Sequence, residues 1–387
     1  MIPLCVPNLS GKEAEYLQEC VTSTFVSSVG PFVTRFETMV ASAAGASGAI
    51  ATSAGTTALH AALIAVGVKQ GDLVICPSMT FIASTNAISH AGATPWLMDI
   101  DPNSWTLDPN LMEQQLAAHT KWEGSELVHV ATGRRVSAVL PVFTLGVPCD
   151  MDPILKVARH YNLAVVVDAA AALGATYKGR HCADLGADLT MISFNGNKTI
   201  TCGGGGAIVG HDTALLQRVR HLTTTARVGT DYDHDMVGYN YRMTNLQAAV
   251  GVAQMEQLDV FVVAKRRISK VYNEAYASFS DVAKFPSPEW AESSAWFSGL
   301  VLEGFNAAER AKQLRAFLRE QQIDARPFWK PMHFQVPYQD APRSSMAVCN
   351  DLWERIVTLP CSTHLTELDQ AVVCKQVCNW LSQQTTN

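Results

Sequence analysis

An α/β domain with a mostly parallel central sheet covered by helices, followed by a smaller α+β C-terminal domain, is the fold this sequence predicts. Three observations carry it. From about Gly45 to Gly210, short apolar runs alternate with helical segments. The apolar runs are continuous, as in strands buried on both faces. Around Thr244 the texture changes to long helical stretches and then to a Trp- and Pro-rich region.

Taken in order, strands are expected at 73–76, 95–98, 138–142, 164–167 and 190–193, with Ala-rich helical stretches at 56–66 and 81–90. Strands separated by helices indicate parallel pairing, and ligands in such sheets bind beyond the carboxyl ends of the strands. Residues 244–279 read as one or two long helices, with Leu246, Val250, Val252, Met255 and Leu258 among the apolar positions. Further helices are expected near 307–321 and 366–383. The domain division is placed at 1–250, a large domain including the N-terminal segment, and 251–387, the small one. No internal repeat is visible.

Composition excludes several functions. The 387 residues carry a net charge of −6, so no basic footprint for nucleic acid or an anionic membrane is present. The opening MIPLCVPNLS is not a basic segment followed by an apolar run, and no apolar stretch is long enough to span a bilayer. A cytoplasmic protein is expected. The ten cysteines form no C-x-x-C pair and no zinc-spaced cluster, so no metal is expected. Cys374 and Cys378 read as small hydrophobes on one helical face, and Cys202 reads as a packing residue.

Four features carry chemistry. Lys198 follows a buried strand and lies among Gly196 and Gly203 to Gly206. Glycines let backbone approach a ligand closely, and a partly desolvated lysine is an amine nucleophile or proton shuttle. Read alone, the segment also describes a surface lysine in a flexible hairpin. Asp168 ends the apolar run Ala164 to Val167, where a buried carboxylate needs a partner. A protonated pyridine nitrogen is one such partner, and a helix N-cap is the other reading. The run Ser53-Ala54-Gly55-Thr56-Thr57-Ala58 precedes a helix, whose free N–H groups can cradle a phosphate. Phe81 can stack on an aromatic cofactor or pack in a core.

In combination, the order of cradle, aromatic, strand-end aspartate and Gly-flanked lysine resembles the fold-type I pyridoxal 5′-phosphate (PLP) enzymes of the aspartate aminotransferase class. Within that class the chain resembles the DegT/StrS sugar-nucleotide aminotransferases. The matching stretches are Ser27-Ser28-Val29-Gly30, Gly55 to Leu59, Gly71-Asp72 before Pro77-Ser78, and Asp168-Ala169-Ala170. They continue through Ser193-Phe194 to Lys198, Gly238 to Thr244, and Arg326-Pro327-Phe328-Trp329-Lys330-Pro331-Met332-His333.

The resemblance implies that Lys198 holds PLP through a Schiff base and moves the proton. It implies that Asp168 pairs with the pyridinium, that Phe81 stacks on the ring, and that Gly55, Thr56, Thr57 and Ser193 bind the phosphate. Asn240 is implied to complete that phosphate site from the other subunit, hence a homodimer with shared sites. Tyr239, Arg326, Lys330 and His333 are implied substrate contacts. The segment Asn195-Gly196-Asn197-Lys198 looks most like the branch that aminates C4 of UDP-linked 4-keto-6-deoxy-N-acetylhexosamines with L-glutamate as donor. That branch serves bacterial surface glycans such as lipopolysaccharide. A dehydratase of the same fold and a non-catalytic scaffold are the competing readings; relatives of the former can carry histidine in place of the lysine. One departure stands out. Ala171 occupies a position near the cofactor's phenolic oxygen that is usually Gln, Glu or His, and a methyl group makes no hydrogen bond.

Overall fold

The computed structural model describes residues 1–384. A sheet of seven strands organises the first two-thirds: β1 (Gly48–Thr52), β2 (Leu73–Pro77), β3 (Thr94–Met98), β4 (Arg134–Val139), β5 (Ala164–Asp168), β6 (Leu189–Ser193) and β7 (Gly206–Gly210). They lie in the order β1-β7-β6-β5-β4-β2-β3. Six strands point one way, and β7 runs antiparallel to both its neighbours. A hairpin, Thr120–Glu123 with Glu126–His129, extends the sheet from the start of β4.

The continuous apolar runs have a direct structural cause. Side chains alternate across a sheet, and here both faces are covered, so both alternating sets must be apolar. Along β5, Val165 and Val167 join one core while Val166 joins the other. Leu73 and Ile75 of β2 divide from Val74 and Cys76 in the same way. The first face is covered by α2 (Pro31–Ala44), α6 (Met151–His160) and α8 (Asn245–Met255), among others. The second is covered by α3 (Gly55–Ala65), α4 (Ile82–His90) and α7 (Thr213–Thr223). The fold class is the expected one.

Two boundaries differ from expectation. Strand β4 begins at Arg134 and ends at Val139, because Arg134 and Arg135 are held at its start by Gly71 and Asp72. Phe81 is the N-cap of α4 and not part of it. The stretch 244–279, expected as one or two long helices, forms two, α8 and α9 (Leu258–Ala275), broken after Met255.

The second core gathers around an antiparallel four-strand sheet: β8 (Val282–Ala283), β9 (Ser298–Leu302), β10 (Arg326–Pro327) and β11 (Ile356–Leu359), in the order β8-β9-β11-β10. It is packed by α10 (Ala307–Glu320) and the closing α12 (Glu367–Gln384). Residue 250, where the sequence suggests dividing the chain, falls inside α8. The packing changes along α9 instead: Phe261 and Val262 join the first core, Ile268 and Tyr272 the second. The N-terminal segment also packs on the small sheet side, through an Ile2–Ile323 bridge and the Cys361 N–H donated to Leu4 O. Among the described residues, no helix is long and apolar enough to cross a membrane.

Candidate active site

The carboxyl ends of β1, β2, β5 and β6 open onto one pocket of about 320 Å³. That volume lies in the range of roughly 300–1,000 Å³ usual for small-molecule sites. The strand directions explain the gathering. Parallel strands end on one edge, so the turns leaving them converge there.

The turn after β1 leads into α3, with Ala54 as a cap residue that has no side-chain acceptor. The first N–H groups of a helix have no partner within it and carry the positive end of its dipole. Ala54, Gly55 and Thr56 line the pocket, so this start of helix faces an anion site. Close approach is enforced on its other side. A Cβ on Gly206 would stand 2.6 Å from Ala54 O, and one on Gly55 would stand 3.1 Å from Ser193 Cβ. Thr57 turns its hydroxyl inward, donating to Ala54 O at 2.8 Å, and this braces the turn.

Asp168 closes β5 with 5% of its surface exposed. Its Oδ2 accepts from Ser84 Oγ at 2.6 Å and its Oδ1 from the Ala170 N–H at 3.0 Å. Burial pushes its carboxyl up from the ordinary range, while Ser84, the Ala170 N–H and the Lys198 charge oppose that shift. Lys198 sits across the same pocket. Burial draws its amine down to about 8, against the pull of Asp168 and Cys5. Its Nζ lies 3.7 Å from the centroid of the Trp296 ring.

Phe81 lines the pocket with 55% exposure, its ring 6.0 Å from that of Trp329. Ser193 and Ala171 line it as well. The Ala171 side chain is an apolar wall, and its carbonyl accepts from Ser294 Oγ at 2.6 Å. Ser84 and Trp296 join the site without having been expected there. Ser84 lies one turn beyond the Phe81 cap and had a readable signal in that spacing. Trp296 comes from the Trp- and Pro-rich region, and only the fold brings it to the pocket, whereas Trp329 belongs to the matched stretch Arg326 to His333.

Other expected residues lie elsewhere. Asn240 is exposed and does not line the pocket of its own chain; its segment runs beside β1, where the Ser53 N–H donates to Tyr241 O. Tyr239 packs against His60 and stacks on Tyr241. His333 is buried, with Nδ1 against Ser78 Oγ at 2.7 Å and Nε2 against Asn350 Oδ1 at 2.8 Å. Both ring nitrogens are thus engaged away from the pocket. Lys330 lies over the Phe334 ring. Arg326 pairs with Asp324 and lines a neighbouring cavity of about 300 Å³ that shares Asn197, Phe297 and Trp329 with the pocket. No metal-holding group of His, Cys, Asp or Glu exists among the described residues.

The residues fit PLP. A buried carboxylate suits a protonated ring nitrogen, the glycine-hemmed start of α3 suits a phosphate, and an amine with a lowered pKa lines the same pocket. A parallel sheet carrying this constellation at its carboxyl edge defines a fold-type I PLP-dependent transferase. The model of the DegT/DnrJ/EryC1/StrS aminotransferase family matches residues 7–378, and the chain belongs to that family. It is a PLP-dependent aminotransferase. GDP-perosamine synthase of Escherichia coli O157:H7 is 36% identical over 384 residues, covering 99% of each chain. GDP-perosamine synthase of Caulobacter vibrioides is 38% identical over 372 residues, covering 95% of each. The crystal structure of DesV from S. venezuelae superposes with a TM-score of 0.85 at 28% identity, covering 96% of this chain and 94% of that one.

Proposed function

We propose that the enzyme moves an amino group from L-glutamate to the keto carbon of a nucleotide-linked sugar, with GDP as the nucleotide. The observation that carries the reaction class is Lys198 and Asp168 facing one pocket beside the uncapped start of α3. Two relatives bearing the name GDP-perosamine synthase support a GDP-linked sugar. They do not support the UDP-linked N-acetylhexosamine expected from the Asn195 to Lys198 segment.

When bound, PLP supplies a pyridinium ring that takes up the charge left on a carbon losing its proton. The chain supplies everything else. Asp168, itself held by Ser84, would keep the proton on the ring nitrogen. The N–H groups of Gly55, Thr56 and Thr57, with Ser193 Oγ, would hold the phosphate, and Phe81 would stack on the ring. Lys198 Nζ would take the proton from the donor carbon in the first half of the reaction and deliver a proton to the sugar carbon in the second. An amine drawn down to about 8 suits both acts near neutral pH. Arg326, which lines the neighbouring cavity while paired with Asp324, would meet the nucleotide diphosphate.

The working unit in this reading is a homodimer. Phe25, Val26, Val29, Tyr232 and Val237 are all exposed, apolar side chains that a second copy would cover. Asn240, exposed in the same loop region as Tyr232 and Val237, would then reach the second copy's phosphate site. The test is a panel of GDP-, UDP- and dTDP-linked keto sugars with glutamate, read by mass spectrometry. Amination of the GDP sugar supports the proposal. Amination of only UDP or dTDP sugars would overturn the nucleotide, and amination of none would overturn the substrate class.

A further inference from the structure

We propose that Trp296 is a positioning residue for the Lys198 amine, holding it against the indole face as the proton carrier of the pocket. This rests on the role of Lys198 given above, and it adds a residue from the small-sheet side of the molecule to that role.

Lys198 Nζ stands 3.7 Å from the Trp296 ring centroid. An indole face attracts an ammonium through its quadrupole and attracts a neutral amine far less. Burial does the reverse and favours the neutral amine. The two act on one nitrogen, and Trp296 therefore offsets part of the desolvation that would strip Lys198 of its proton. The other charged or titratable groups facing this amine are Asp168, across the pocket, and Cys5, on the N-terminal segment.

Trp296 is itself fixed on every side. It is 2% exposed and stacks on Phe297 with centroids 4.0 Å apart. Its Nε1–H donates to Asn197 O at 2.6 Å, the carbonyl immediately before Lys198. Cys5 Sγ donates to the same carbonyl at 3.3 Å. Behind both lies Lys265, 1% exposed, whose Nζ donates to Trp296 O at 2.9 Å and Cys361 O at 2.6 Å and reaches Cys5 Sγ at 3.4 Å. One buried ammonium thus ties down the two groups that grip the lysine loop. Trp296 immediately precedes the stretch entering β9, so the small sheet sets the place of an amine borne by the large one.

The test reads Lys198 directly in the full-length protein stripped of cofactor. Reductive methylation with formaldehyde and cyanoborohydride is followed against pH, and the Lys198 peptide is quantified by mass spectrometry. Trp296→Leu removes the face and the N–H, and should lower the pH of half-reaction by about one unit. Trp296→Phe keeps a face and should stay nearer the wild type. If Trp296→Leu fails to fold, phenylalanine and pentafluorophenylalanine at 296 are compared, since they share a shape and differ in the sign of the ring quadrupole. The fluorinated ring should give the lower half-reaction pH. Identical profiles for leucine and tryptophan in folded protein, or for the two phenylalanines, would overturn the proposal. Capture of PLP by the same samples is measured alongside. Failure of the wild type to capture it would overturn the assigned role of Lys198, while the methylation profiles would still decide the contact.

Discussion

Ser84→Ala isolates the hydrogen bond that prepares Asp168. The Ser84 Oγ to Asp168 Oδ2 distance of 2.6 Å is that of a charge-assisted bond, and both groups are buried. Such bonds stabilise the ionised acceptor by about 1.5–3 kcal/mol. Spread over ~1.4 kcal/mol per pKa unit, its loss raises the Asp168 carboxyl by about one to two units. The direction compounds the upward push that burial already gives. A carboxyl that keeps its proton cannot pair with a pyridinium. The pH below which PLP affinity falls should therefore move up by about one to two units, with affinity at higher pH little changed. Fluorescence titration of PLP across pH measures this. The double variant Ser84→Ala/Asp168→Asn should behave as Asp168→Asn alone, because the hydrogen bond acts only through the charge. Coincident pH profiles for Ser84→Ala and wild type would refute the reasoning.

Three further outcomes follow from the geometry. Capture of PLP requires a neutral Lys198 amine, so with that amine drawn down to about 8 the capture rate should climb with pH and level off above that point. At pH 7 it should be about a tenth of the plateau; a flat profile between pH 6 and 9 contradicts the lowered pKa. Gly206→Ala puts a Cβ 2.6 Å from Ala54 O, so thermal melting should show a loss of ~1–3 kcal/mol and PLP titration a weaker site. Unchanged affinity would mean that the turn before α3 does not hold the phosphate. Mixing and reassembling Lys198→Ala with Asn240→Ala chains should restore about a quarter of the native sites if each pocket borrows Asn240 from a second copy. No recovery on mixing counts against the shared site.

The parts of this molecule that could be read in advance are those whose cause is local. Strands β2, β3, β5 and β6 are buried on both faces, and their largely apolar runs announce them. Strand β7 escaped notice because Gly206 and its glycine neighbours look like a loop. The structure instead uses glycine where β7 passes Ala54 too closely for a side chain. Strand β4 was misplaced because its first residues are arginines facing Asp72 and Gly71 at the sheet's rim. Within the site, Lys198, Asp168, Phe81 and Ser193 all reached one pocket, since each follows or ends a recognisable strand, and Gly55 and Thr56 joined them at a recognisable helix start. Trp296 lies about a hundred residues beyond Lys198, and no local pattern links it to that lysine, whereas Trp329 belongs to a recognisable motif. His333 belongs to a conspicuous motif, yet Ser78 and Asn350 consume both its nitrogens, and motif membership could not reveal that.

Borohydride reduction of the PLP-loaded protein, followed by peptide mass spectrometry, asks whether Lys198 carries the cofactor. A stable cofactor adduct should appear on the Lys198 peptide and be absent from protein exposed to L-glutamate before reduction. An adduct on another lysine, or none at all, would show that Lys198 does not hold PLP.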